Sequence, residues 1–391
     1  MPDTDLDAFR AELRDWLEQN CPEEMRDGAR DEHSICWGGK NWKFASDAQR
    51  IWLERCVTRG YTVPTWPVEY GGAGMNRDQE RIFHEEMARI GARYPLQSFG
   101  IWMLGPALLK FGTEAQKQYF LPPIARGEIR WCQGYSEPGA GSDLAGVQTR
   151  CEDMGEHWLV NGQKIWTSYA DKADWIFALL RTDREAPKHK GISFVLIDMT
   201  APGVSTKPIR LISGASPFCE TFFDNVKVPK EHAPGVSSVV GEVNRGWDVA
   251  KYLLTHEREM ISAGGAVMGG GRPLMEVLAN AETGRTDPIL QADAMRAEVD
   301  GLAFTLTLER YKDQAEAGSG VGDASAMLKY YGTELNKRRL ELVMAAAGSE
   351  ALDWNDERAP TWLRTKANSI EGGTSEVMLS IISKRILGLP G

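Results

Sequence analysis

The sequence has no paired-cysteine motif. Its six cysteines, Cys21, Cys36, Cys56, Cys132, Cys151 and Cys219, are scattered without a CxxC, which argues against a disulfide framework or a structural zinc site. The six histidines are equally dispersed, with no HExxH, so no metal is expected. No apolar run reaches the roughly 18 residues that span a bilayer, and no membrane association is expected. Positive charge is in deficit: 45 Lys and Arg against 55 Asp and Glu give a net charge of −10. A polynucleotide binder carries a basic footprint, so nucleic-acid binding is not expected. GxxxxGK[ST] and GxSxG are both missing, and with them the signatures of phosphate-loop enzymes and α/β hydrolases. The opening stretch MPDTDLDAFRAELRDWLEQN is acidic and amphipathic, unlike a targeting peptide. With unpaired cysteines, this reads as a cytoplasmic protein.

What is present is an ordinary globular composition, 42% apolar and 26% charged, over 391 residues. That length suits two or three domains. Thirteen tryptophans stand out; indoles fill cores or face flat aromatic ligands. Leu6, Phe9, Leu13, Trp16 and Leu17 recur at helical spacing, and helices are predicted over 45–59, 77–91, 100–111 and 114–126. Pro- and Gly-rich 64–75 reads as a loop, as does 27–41. From about 130 to 232 strand-like runs replace the helical pattern. Asn161-Gly162, flanked by Trp158–Val160 and Gln163–Trp166, predicts a hairpin turn. After Gly246 helices return, over about 247–280, 290–315, 323–347 and 374–386, with 353–359 and Pro360 as a separating loop. The Gly-rich 264–271 reads as a site of close helix packing rather than a phosphate cradle. The order helix, strand, helix is an α+β organisation, with domains at 1–128, 129–236 and 237–391.

Two segments can carry chemistry. In QGYSEPGAGS, 133–142, Pro138, Gly139 and Gly141 enforce a tight backbone, and Tyr135, Ser136 and Ser142 supply hydroxyls. Such a loop can bind the edge of a heterocycle or an anionic oxygen; it can equally be a Pro-Gly turn between strands. In SIEGGTSE, 369–376, Thr374 is either the N-cap of the last helix or the start of a helix terminus that faces a phosphate.

At these segments the sequence resembles the acyl-CoA dehydrogenase family. YSEPGAGSDLAG (135–146) is similar to the family's first signature, NGQKIWTSYADKADW (161–175) to its flavin-contact motif, and IEGGTSEV (370–377) with KRILGLP (384–390) to its C-terminal signature. FFDNVKVP (222–229), GEVNRGW (241–247) and HEREMISAGGAVMG (256–269) resemble the exit from the middle domain and the helix after it. The resemblance implies a helical N-terminal domain, a β-barrel-like middle domain and a C-terminal four-helix bundle. It further implies one FAD per subunit, a homotetramer or heterotetramer, an acyl-CoA substrate and electron-transferring flavoprotein as acceptor.

By motif position, Gln133, Tyr135, Ser136, Gly141 and Ser142 would line the flavin edge. Trp166 and Ser168 would approach the ring from the neighbouring strand; plain core packing is the alternative for Trp166. Thr374, Glu376 and Arg285 would meet the adenosine-diphosphate part, although GRTDP around Arg285 departs from the family's usual RxxFG and MAAAGSEA (344–351) replaces its Gly-Gly segment. Ser142, Gly372 and Arg258 would contact the substrate. The implied reaction is α,β-dehydrogenation: a carboxylate takes the α-proton while a β-hydride passes to flavin N5. One branch of the family carries that base in the C-terminal signature, directly before Gly-Thr, where this chain has Gly372. The other carries it on the first C-terminal helix before an Arg, here Glu257-Arg258. Glu257 is therefore the expected base and Glu371 its alternative. A non-catalytic subunit of a heteromeric assembly and a related flavin oxidase are the competing readings.

Overall fold

The structure is a computed structural model that describes residues 5–27, 34–263, 273–316 and 324–390; the side chains of 255–263, Lys312, Ala315 and Glu316 are also outside the described residues. The chain divides into two compact units, one of residues 1–208 with 218–253, the other of 209–217 with 254–391.

The first unit opens with helices α1 (Leu6–Asn20), α2 (Asp47–Thr58), α3 (Arg77–Arg89), α4 (Gly105–Phe111) and α5 (Glu114–Ala125). Their starts are written in the sequence. Asp5 caps α1 by accepting from the Asp7 and Ala8 N–H groups. Asn76 with Gln79, and Thr113 with Gln116, form reciprocal capping boxes on α3 and α5. Leu13 and Leu17 of α1 share a core with Trp52, Cys56, Ile82, Phe83 and Met87. A π-helical turn, Gly100–Leu104, precedes α4 within the predicted 100–111 helix.

Among the described residues ten strands follow: β1 (Trp131–Gly134), β2 (Arg150–Asp153), β3 (His157–Ser168), β4 (Trp175–Arg181), β5 (Ile192–Asp198), β6 (Val204–Ile209), β7 (Phe218–Pro229), β8 (Glu231–Ala233), β9 (Val236–Ser237) and β10 (Val239–Val240). The main sheet runs β10-β5-β4-β2-β3-β7-β6, with β1 parallel to β4. β4 is buried along its whole length, and its continuous run WIFALLR reflects that. Gln116 ties the helices to the strands: its Nε2 donates to Ser237 O and Val239 O, both at 2.8 Å.

The predicted hairpin at Asn161-Gly162 is absent. β3 passes straight through these residues, paired with β2 on one side and β7 on the other. The pairing with β7 slips between Val160 and Gly162, where Asp224 and Asn225 of β7 oppose Asn161 alone, so the bulge lies on β7 opposite the Asn-Gly pair. Gly162 has φ +148°, and a Cβ there would lie 2.8 Å from Thr149 Cα. Asn161 Oδ1 accepts from Asn225 N at 2.8 Å, and Asn225 itself has φ 52°. The turn between β2 and β3 instead falls at Met154–Glu156, where Gly155 has φ 86° and donates to Asp153 Oδ1.

Helix α6 (Gly246–Ala263) begins in the first unit and the division falls at Leu253. The second unit continues with α7 (Leu274–Ala279), α8 (Glu282–Thr286), α9 (Pro288–Glu316), α10 (Ala324–Ala347), α11 (Arg358–Thr365) and α12 (Ser375–Ile381). The expected single helix over 247–280 is thus interrupted, and its Gly-rich 264–271 lies outside the described residues. The expected loop at 353–360 ends in α11, whose first turn accommodates Pro360.

One polar cluster joins α1 to α3. The Glu86 side chain is 2% exposed and accepts from Arg10 (3.1 Å), Arg14 (2.8 and 3.0 Å) and Arg89 (2.6 Å). Hydrogen bonds from Arg14 lead the causes that hold its carboxyl down at about 2. The unfolded value is about 4.3, so this stabilisation is complete above that pH and is lost as pH falls towards 2. Glu86→Gln should lower stability by about 2 kcal/mol at pH 7. It should also flatten the loss of stability between pH 4.5 and 2, measured by denaturant unfolding across that range.

Candidate active site

The first signature loop leaves β1 at Gly134. Gln133 pairs in register with Phe177 of β4. Glu137 and Ala140 exchange both backbone bonds at 3.0 Å, closing the loop on itself. Gly139 and Gly141 face open space, and Ser142 is exposed. The loop is joined to β3 by Ile165 N, which donates to Ser136 O at 2.9 Å.

That bond brings the loop beside the last residues of β3. A second bulge, between Lys164 and Thr167, inserts an extra residue there. Strict alternation would send Thr167 outward and Trp166 inward. With the bulge, Thr167 is buried and Trp166, at φ 60°, is 52% exposed. Plain core packing for Trp166 is therefore excluded. Its indole meets Phe218 edge-on. Ser168 is half-buried opposite Phe218. Gln133 Nε2 and Thr167 Oγ1 are buried with no hydrogen-bond partner among the described residues, a state that costs about 1–3 kcal/mol per group unless a ligand or water satisfies it.

Beyond the loop, Asp143 pairs with Lys188. A cleft of about 540 Å³ opens beside them, lined by Gln148, Arg181, Arg184, Glu185 and Lys188. Arg181 forms its wall: the guanidinium donates to the carbonyls of Ala145, Val147, Lys188 and Lys190.

Two residues that sequence reasoning passed over hold the loop. Lys164 is fully buried, and its ammonium donates to Glu137 Oε1 (2.7 Å), Leu179 O (2.6 Å) and Tyr135 O (3.2 Å). Glu137 also accepts from Gln148 N (2.6 Å) and Thr149 N (2.9 Å). Burial pushes the Lys164 ammonium down to about 8, which leaves it charged at pH 7. Burial also opposes the Glu137 charge, but Lys164 outweighs it and holds the carboxyl below its ordinary range. The available signal was a lysine two residues before Trp166 on the inward phase of a strand.

In the second unit the C-terminal signature has a matching anchor. Lys329 of α10 is buried and donates to Asn368 O (2.9 Å) and Gly373 O (2.7 Å). Burial lowers its pKa, against Glu371, Glu334 and Glu376. Gly372 and Gly373 have φ 63° and 98°, and a Cβ on Gly373 would come within 2.6 Å of Met378 Cε. Thr374 caps α12, accepting from Val377 N at 3.2 Å. Glu376 is exposed in the first turn, and backbone and Thr374 hydrogen bonds lower its pKa. Glu371 is engaged: Arg364 donates to both its oxygens (3.2 and 2.8 Å) and Asn368 Nδ2 to one (2.7 Å). Arg285 is exposed on α8 and donates to Ala279 O at 3.3 Å, so it bonds to its own stretch of chain. Glu257 and Arg258 fall on α6, where their side chains lie outside the described residues.

The N-terminal, middle and C-terminal domain models of acyl-CoA dehydrogenases match residues 3–128, 132–226 and 244–387 in turn. A Mycobacterium tuberculosis protein, acyl-CoA dehydrogenase IpdE1, is 35% identical over 99% of this chain and 98% of its own. This chain belongs to the acyl-CoA dehydrogenase family. It shares that family's α+β fold and its oxidoreductase class. Among solved structures, a protein titled Tcur3481-Tcur3483 steroid ACAD superposes with TM-score 0.75 at 30% identity, covering 100% of this chain and 99% of that one. The ChsE4-ChsE5 complex from Mycobacterium tuberculosis gives TM-score 0.75 at 29% identity, with 100% and 99% covered.

Lys329→Met should leave two carbonyls of the C-terminal signature without their donor and cost about 3 kcal/mol. The drop in unfolding free energy by chemical denaturation checks this; an unchanged midpoint would show that water takes over both bonds.

Proposed function

We propose that this acyl-CoA dehydrogenase is an FAD enzyme that removes the α-proton and β-hydride of an acyl-CoA thioester to give the trans-2-enoyl-CoA. The observation that carries this reading is the juxtaposition of loop 135–142 with the end of β3, where Ile165 N donates to Ser136 O and the next residue, Trp166, exposes its indole. These residues fit a flat heterocycle with polar edges. When bound, FAD accepts the β-hydride at N5. Gln133, Tyr135, Ser136, Gly141, Ser142, Trp166 and Ser168 would hold its ring, and Thr374, Glu376 and Arg285 its adenosine-diphosphate part.

Glu257 is the base in this reading. Support comes from its competitor: the Glu371 carboxylate is held by Arg364 and Asn368, a pairing that favours a fixed anion over a proton acceptor. Ser142, Gly372 and Arg258 would meet the thioester end of the substrate. The cationic cleft at Arg181, Arg184 and Lys188 supplies local positive charge for the phosphates of CoA. The likeness to a steroid ACAD at 30% identity supports a bulky, ring-bearing acyl group. Electron-transferring flavoprotein is the proposed acceptor.

A homotetramer or heterotetramer is supported by α9, which exposes Met295, Val299, Leu302 and Leu306 at spacings of three and four residues. That is the seam of a helix awaiting another helix. The likeness to the ChsE4-ChsE5 complex supports an unlike partner subunit.

Glu257→Gln should slow bleaching of the flavin by a ring-bearing acyl-CoA on the order of 10³-fold. Glu371→Gln should change it by less than about tenfold and lower thermal stability instead; the reverse pattern would move the base to Glu371. Val299→Glu with Leu302→Glu should reduce the solution mass measured by light scattering, and an unchanged mass would remove the α9 seam from the assembly.

A further inference from the structure

A buried ammonium is a costly way to fill a sheet interior; a methionine would fill it more cheaply. Lys164 nevertheless occupies that place, and its three bonds join two separate pieces of chain. Tyr135 O and Glu137 lie in the signature loop, while Leu179 O lies on β4. Glu137 in turn gathers Gln148 N and Thr149 N, where the chain leaves the loop for β2. On its outer side Gly139 and Gly141 face open space. A backbone bond, Ile165 N to Ser136 O, joins its first half to β3. The next residue of β3 is Trp166, whose left-handed backbone lies in the bulge that begins at Lys164.

We propose that Lys164 and Glu137 are a positioning pair that sets the spacing between the signature loop and the Trp166–Ser168 strand end, and thereby the cleft into which the flavin ring fits. The inference rests on the flavin reading given above. Directional bonds from one nitrogen fix distances in a way that apolar packing around glycines does not. The pair acts through Tyr135, Ser136 and Trp166 and touches no reacting atom. Its charge remains paired at neutral pH, because the ammonium is still protonated there. Arg181 stands close enough to repel Lys164 and be attracted by Glu137, so the loop is backed by a small buried charge network.

The test separates positioning from stability. The double variant Lys164→Met with Glu137→Gln removes both charges together, so neither is left buried alone. It should keep the wild-type circular dichroism and melt within a few degrees of wild type as apoprotein. Its FAD dissociation constant should rise at least tenfold, and the visible circular dichroism of the bound flavin should weaken. Glu137→Gln alone, which preserves side-chain volume, should raise the FAD dissociation constant in the same direction, and it carries the test if the double variant misfolds. A folded variant that binds FAD with wild-type affinity and an unchanged flavin spectrum would overturn the positioning role and leave the flavin reading intact. A wild-type protein that takes up no FAD would overturn the flavin reading itself, and this inference with it.

Discussion

A buried ammonium has to find several acceptors at fixed directions, and that requirement organises both signature segments of this protein. In the first unit Lys164 reaches from β3 to a glycine-rich loop and to the central strand β4. In the second unit Lys329 reaches from α10 to the two ends of another glycine-rich loop. Each loop contains glycines with few packing partners or with positive φ, so each depends on polar bonds for its shape. A regular element carries the cation, and the irregular segment supplies the carbonyls. The cost of desolvating the lysine is offset only when those carbonyls are in place, which couples the local conformation of each loop to the fold around it.

The motifs were legible in the sequence because they are local. YSEPGAGSD and IEGGTSE carry their chemistry in consecutive residues, and the change from helical to strand periodicity near 130 needed only spacing. Capping residues such as Asn76, Thr113 and Thr374 mark helix starts for the same reason. The errors arose where distant chain decides a local outcome. Asn161-Gly162 has turn chemistry, yet β2 and β7 pair with both sides of it and hold it in a strand, with the bulge on β7 opposite it. Asn225, more than sixty residues away, supplies the hydrogen bonds that its polar groups need. The break near 353–360 hid a helix because Pro360 was read as punctuation, whereas a first helical turn tolerates it.

The same non-locality explains why Lys164, Glu137 and Lys329 escaped notice. A lysine in a strand or helix reads as surface, since most lysines are exposed. Only the pairing register places Lys164 inward, and only the path of residues 368–373 gives Lys329 its acceptors. Trp166 shows the complementary effect. Motif position placed it beside the loop, but its exposure follows from the bulge between Lys164 and Thr167, a feature that strict alternation cannot express.

Charge offers the last step. The chain carries a net charge of −10, and its proposed ligands, FAD and acyl-CoA, are both anionic. Long-range steering would repel them, so capture must rest on short-range groups. In the proposed reading the cations are those of the cleft beside the first signature loop, where Arg181, Arg184 and Lys188 stand with Glu185 and Lys188 pairs with Asp143; Arg181 is held by four carbonyls in the segments that bound it. A fixed guanidinium surrounded by low-dielectric protein acts more strongly at contact than a mobile surface lysine, and its influence fades within about 10 Å in physiological salt. In the proposed reading, local cations select polyphosphate esters within an acidic protein, while the surplus of carboxylates elsewhere keeps the rest of the surface from competing for them.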